Sequence, residues 1–166
     1  TNWRIFSFDD SSWMQGQGGV GYGDGDDSTI IGPVTSLYLR KEFFIVDTSE
    51  IIASVLHVDY DDAFVAYLNG VEIARANIGS IGDYPFFDQG STSWHEAQMY
   101  QGGNPSQFIV NTQLLNNTLN QGGNILSVQV HNDNISSSDL TGRIFLSLGI
   151  SGTSTNYFPT PSWFVP

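Results

Sequence analysis

The chain contains no cysteine, which excludes disulfides, thiolate nucleophiles and cysteine-ligated zinc together. That absence fails to place it outside a cell without placing it inside one. Bases are nearly as scarce: five Lys and Arg stand against seventeen Asp and Glu, for a formal net charge of −12 at pH 7. Nucleic-acid recognition and attraction to anionic membranes both begin with a basic surface, so neither partner is expected. No apolar run approaches the roughly 20 residues of a membrane-spanning helix. His57, His95 and His131 are far apart, none in a His-Glu-x-x-His frame, and no Gly-x-Ser-x-Gly elbow supplies a serine nucleophile. No catalytic constellation assembles, so the chain is expected not to be an enzyme.

What is there is apolar enough to fold: 166 residues, 40% apolar and 13% aromatic, fit one domain with a full core. Eighteen glycines, with many Ser, Thr, Asn and Asp, favour strands and turns over helices. The clearest fold signal runs over residues 57–78, H-V-D-Y-D-D-A-F-V-A-Y-L-N-G-V-E-I-A-R-A-N-I. Residues 63–68 are apolar on both faces, which predicts a strand covered on both sides. Asn69-Gly70 predicts a type I′ hairpin that pairs Leu68 with Val71.

Further strands are predicted at 37–46, 52–60, 108–110, 125–131 and 143–150, with Leu126, Val128 and Val130 pointing in and Ser127, Gln129 and His131 pointing out. A short N-terminal strand is anchored by Trp3 and Trp13. Residues 16–29 and 77–107 read as loop, and no helix is predicted. This pattern argues for an all-β fold, an antiparallel β-sandwich, and at this length a jelly roll. The domain spans 1–150. Residues 151–166 read as an extended Pro/aromatic tail leading to another module, and Thr1, with no Met or leader before it, reads as the start of a piece of a longer precursor.

The loops carry the candidate chemistry. Asp24, Asp26 and Asp27 in G-Y-G-D-G-D-D offer closely spaced oxygens to a hard cation such as Ca²⁺, with Asp62 added and Asp59, Asp61 and Asp139 as lesser contributors. The competing reading is a glycine turn whose aspartates bond their own backbone. Residues 77–107 hold aromatics among polar groups, the composition that a pyranose with an apolar face and a hydroxyl rim demands. Trp94, His95 and Glu96 are the first candidates there, with Tyr84 and Tyr100 beside them. The alternative is that most of these rings fold the loop down onto the sandwich. His131 and Asn132, ending a strand at the rim, are expected to orient a loop.

F-D-D-S-S-W at 8–13, Y-L-R-K-E-F at 38–43, residues 59–74 and G-N-I-L-S-V-Q-V-H-N at 123–132 resemble the galactose-binding-like jelly-roll domain, including the sugar-binding domain of family 2 glycoside hydrolases. G-Y-G-D-G-D-D and S-S-D-L at 137–140 look like an accessory domain of large secreted bacterial proteins, among them polysaccharide-degrading enzymes and spore-coat-protein-H-like proteins. The resemblance implies a non-catalytic, carbohydrate-binding-like module, secreted or at the cell surface, with polysaccharide or oligosaccharide and neighbouring domains as partners. A structural Ca²⁺ and a monomer are expected with it. A spacer or protein-interaction module without sugar binding is the alternative, since the fold hosts both.

Overall fold

Alternating apolar residues produce three of the four long strands that frame the molecule, β3 (Ser36–Ile45), β4 (Ile51–Tyr60) and β8 (Gly122–His131). The computed structural model describes residues 2–152. Within these the remaining strands are β1 (Val20–Tyr22), β2 (Thr29–Ile30), β5 (Ala63–Leu68), β6 (Val71–Ala76), β7 (Ser106–Val110) and β9 (Leu140–Ile150). They form two sheets, β2-β1-β9-β4-β7 and β3-β8-β5-β6. The pairing is nested: β1 with β9, β3 with β8, β4 with β7 and β5 with β6, each antiparallel. One long hairpin rolled into two layers has this pattern, which makes the fold a jelly roll. Only the short β1–β2 pair is parallel among the described strands.

The predicted hairpin is present. Asn69 and Gly70 both take positive φ, 49° and 88°, and Leu68 pairs with Val71. A bulge after Ala66 shifts the pairing so that Ala66 faces Ala74. Phe64, Ala66 and Leu68 enter the main core with Leu56, Val58, Val128 and Val130, and each buried Phe, Leu or Val side chain contributes about 1.5–3 kcal/mol on leaving water. The other face of β5, Ala63, Val65 and Tyr67, packs with Ile78 and Trp3.

Four expectations are corrected. The N-terminal segment forms turns, not a strand; Trp3 does anchor it, packing edge-on to Tyr38 and Tyr67. The buried Arg40 side chain holds the segment by donating to the carbonyls of Trp3, Ile5 and Phe8 and pairing with Asp10 at 2.6 Å. The expected loop 16–29 holds β1 and the first residue of β2, because its glycines let backbone approach backbone: a Cβ on Gly21 would lie 1.9 Å from the Leu140 carbonyl oxygen. A short helix, α1 (Thr112–Thr118), follows β7; the Asn111 side chain caps it, accepting from the amides of Gln113 and Leu114. Ser127, Gln129 and His131 are buried rather than outward in water, since loops cover the outer face of their sheet. From residue 153 onward the expected tail lies outside the described residues.

One end of the sandwich gathers the loops 23–28, 61–62, 77–105 and 132–139, between strands that finish or begin there. The opposite end carries the 46–50 connection, the Asn69-Gly70 turn and α1.

Candidate functional site

The Asp59–Asp62 turn passes from one sheet to the other. The Asp61 amide donates to the Thr141 carbonyl and the Asp62 amide to the His131 carbonyl, at 3.1 and 3.0 Å, pinning the turn to both layers. From there two of its carboxylates hold loops. Asp59 accepts from the amides of Gln98 (2.7 Å) and Met99 (3.0 Å). Asp62 accepts from His95 N through Oδ1 and from Asp133 N through Oδ2, both at 2.9 Å. Asp62, expected among the cation ligands, therefore has both oxygens engaged in positioning two loops. Asp61 between them is only 4% exposed and turns to the cleft that those loops enclose.

That cleft has a volume of about 450 Å³ and runs between Trp94, His95 and Glu96 on one loop and Asp61, Asp133 and Asp139 on others. At its edge the structure brings together Asp24, Glu96 and Asp139, with one carboxylate oxygen of each within 4.8 Å of the others. Two oxygens that each lie about 2.4 Å from a Ca²⁺ are at most about 4.8 Å apart, so the spacing fits that ion. Gly23 makes the approach possible: its φ is 112°, and a Cβ there would lie 2.4 Å from the Asp139 Cβ.

Deeper in the same loop, Asp24 Oδ2 and both carboxylate oxygens of Asp26 and Asp27 are buried without a hydrogen-bond donor. Arg143 is the nearby base: it donates to the Asp26 carbonyl at 2.6 Å and lies 3.6 Å from Asp26 Oδ2. Burial, then the Asp139 and Glu96 charges, pushes the Asp24 carboxyl up to about 6. Burial and Asp26 push Asp27 to about 7. Burial, followed by Asp62, Asp139 and Glu96, pushes Asp61 to about 8. Carboxyls behave this way where charge is desolvated among like charges and cations nearby compensate it too little.

The sugar-binding candidates separate in space. The Trp94 ring is 83% exposed, with its Nε1 donating to Asp133 Oδ2 at 3.2 Å. The His95 ring stacks on Tyr60 at 3.9 Å, its Nδ1 2.9 Å from the Tyr60 carbonyl oxygen. The Glu96 carboxylate accepts from the Tyr100 hydroxyl at 3.2 Å, so Tyr100 stands behind it. Tyr84 lies elsewhere, its ring 3.8 Å from the Arg4 guanidinium. Phe86 and Phe87 stay exposed, against the expectation that most of these rings pack down on the sandwich. Asp133 and Ser137, which also line the cleft, had no local signal beyond a polar, turn-rich stretch after a strand. His131 and Asn132 do orient loops: His131 Nδ1 is 2.8 Å from the Gln89 carbonyl oxygen, and Asn132 Nδ2 donates to the Tyr22 hydroxyl and the Val34 carbonyl.

No protein-family model and no curated protein matches the chain. Two solved structures overlay on it. The α-L-rhamnosidase of Streptomyces avermitilis complexed with L-rhamnose matches with a TM-score of 0.44 and 17% identity, over 81% of this chain and 12% of that enzyme. The native α-L-rhamnosidase of Aspergillus terreus matches with a TM-score of 0.45 and 18% identity, over 87% of this chain and 16% of its own. The chain thus spans a small fraction of either enzyme, and at this distance nothing of their activity is carried over. The jelly-roll assignment rests on the strand pairing. Among the described residues no helix is long and apolar enough to cross a membrane.

Proposed function

We propose that the chain is a non-catalytic, carbohydrate-binding-like module of a secreted multidomain bacterial protein, of the galactose-binding-like accessory type, with a Ca²⁺ bound at the loop-rich end. The exposed Trp94 ring at the mouth of a polar cleft carries this reading. An indole face supports the C–H face of a pyranose, while carboxylates beside it accept from the ring hydroxyls. Asp133, Glu96 and Asp139 are placed for that second task. The ion sits on Asp24, Glu96 and Asp139, with Asp26 and Asp27 behind it supplying negative potential. The module acts as a monomer that holds neighbouring domains near polysaccharide or oligosaccharide.

Affinity electrophoresis against a glycan panel in Ca²⁺ tests the binding. Retardation on at least one glycan, lost in Trp94→Ala, is expected, and no retardation on any glycan overturns the reading. Removing the ion with EDTA is expected to lower the melting temperature. An ion that binds only the folded chain stabilises it by about 2.7 kcal/mol at a hundred times its Kd. An unchanged melting curve overturns the ion.

A second reading, a protein-interaction spacer, draws on the exposed Ile81, Phe86 and Phe87 of the long loop. Single exposed apolar residues are ordinary on protein surfaces, which makes it the weaker of the two.

A further inference from the structure

We infer that the ion at Asp24, Glu96 and Asp139 is a bridge to the glycan: adjacent hydroxyls of a neutral sugar complete its coordination inside the cleft while the sugar's apolar face rests on Trp94. This rests on the module reading above and names its ligand class.

The coordination number comes first. Ca²⁺ takes 6–8 oxygens, and the described residues assemble three carboxylates around one point. Even with carboxylates binding through both oxygens, positions remain for water or a ligand. The three come from three different loops, Glu96 is exposed, and Asp24 and Asp139 are partly exposed, so the protein does not close a cage around the ion. The open side faces the cleft, because Glu96 and Asp139 belong to both the triad and the cleft wall.

Asp61 is an independent sign. Its side chain lines the same cleft although the residue is 4% exposed. Its electrostatic neighbours are the acids Asp62, Asp139 and Glu96, and among the described residues no base pairs with it. A carboxylate taken out of bulk water among like charges is costly. Either the ion's field or a ligand hydroxyl supplies what it lacks, and a sugar bound to the ion from the cleft side brings both.

Charge then selects the ligand. The three carboxylates outweigh the double charge of the ion, and Asp133 on the cleft wall adds more. A uronic acid or a sulfated sugar would enter a field that is still negative, and like charges repel strongly in a partly desolvated cleft. A neutral glycan offers hydroxyls that ligate the ion through oxygen and donate protons to the surrounding carboxylates.

The test uses the whole chain in affinity electrophoresis on neutral polysaccharides (xylan, galactan, galactomannan) and on polygalacturonate, each in Ca²⁺ and in EGTA, below the melting temperature of the metal-free protein. The expected result is retardation on a neutral polysaccharide that weakens about tenfold or more in EGTA, equivalent to about 1.4 kcal/mol. Calorimetric titration of Ca²⁺ alone should then tighten by the same factor when that polysaccharide is present, since coupling between two ligands is reciprocal. Glu96→Gln should weaken both ligands. Trp94→Ala should lose the glycan while Ca²⁺ alone binds as before. Undiminished glycan binding in EGTA overturns the bridge and leaves the module reading standing. Stronger retardation on polygalacturonate than on any neutral glycan overturns the ligand class. No retardation on any polysaccharide overturns both readings.

Discussion

The two ends of the sandwich treat polar side chains in opposite ways. At the end with α1, Asn69 and Asn124 form a buried network in which each amide is satisfied. Asn69 Nδ2 donates to Asn124 Oδ1 and to the Thr118 carbonyl, and Asn69 Oδ1 accepts from Ile125 N. Asn124 donates in turn to the carbonyls of Asn120 and Gly122. One carboxylate at that end, Asp47, accepts from the Ser49 hydroxyl and amide, which hold it below the usual carboxylate range. At the other end Asp24, Asp27 and Asp61 sit well above that range because burial and like charge oppose their ionisation. A satisfied network contributes to folding. A set of carboxylates held together without donors detracts from it unless something arrives to compensate, and sites that bind ligands carry such a cost.

Breaking either end's scaffolding should have the largest effects. Asn124→Ala strands several buried partners and should cost roughly 2–4 kcal/mol in urea unfolding, with Ca²⁺ affinity unchanged. Asp62→Ala should cost about as much, because it leaves the part-buried amides of His95 and Asp133 without acceptors, and it should also abolish ligand binding by releasing both loops. Equal loss of ligand binding in the two variants would erase the distinction between the ends.

Asp61→Asn, one residue away, should act in the reverse direction. It removes a disfavoured charge, so the metal-free protein should gain about 1 kcal/mol near pH 8 by thermal melting, while stabilisation by Ca²⁺ shrinks. The metal-free wild type should show the same physics against pH. Asp61, Asp27 and Asp24 titrate near 8, 7 and 6 in the folded chain and near 3.8 when unfolded. At high pH their forced ionisation detracts from stability, and the fold recovers that stability as pH falls through 8 to 6. His131 works the other way: burial holds it below 6.5, so its neutral folded state loses stability as pH falls from 6.5 through its lowered value. A melting temperature that declines steadily from pH 8 to 6 without metal would contradict the unpartnered carboxyls. The smallest effect on stability belongs to Trp94→Ala, within about 0.5 kcal/mol for so exposed a ring, and a larger loss would make Trp94 a packing residue.

Much of this was legible from local pattern. The Asn69-Gly70 hairpin, the ten-residue strands and the two-faced apolar β5 follow from periodicity and turn chemistry, which act over a few residues. Trp94, His95 and Glu96 stood out by composition, and the structure does line the cleft with all three. Tyr84 stood out equally and lies on Arg4 instead, because composition says nothing of which way a long loop folds. Glu96 looked like a partner for sugar hydroxyls, and its place beside Asp24 and Asp139 has no trace in its neighbours in sequence. Strands β1 and β2 were missed because three-residue and two-residue elements carry too few side chains to show alternation.

The sequence by itself determined the elements: short strands, a core hairpin, no thiol chemistry, and an excess of acid gathered mostly in turns and loops. Only the tertiary structure decided what the acids do. Asp59, Asp61 and Asp62 stand together in one turn, yet two accept loop amides and the third faces a cleft with carboxylates from distant loops. The nested pairing of first strand with last brings residues 24, 96 and 139 to one rim. Proximity of that kind is set by the roll of the whole chain and is carried by no local period.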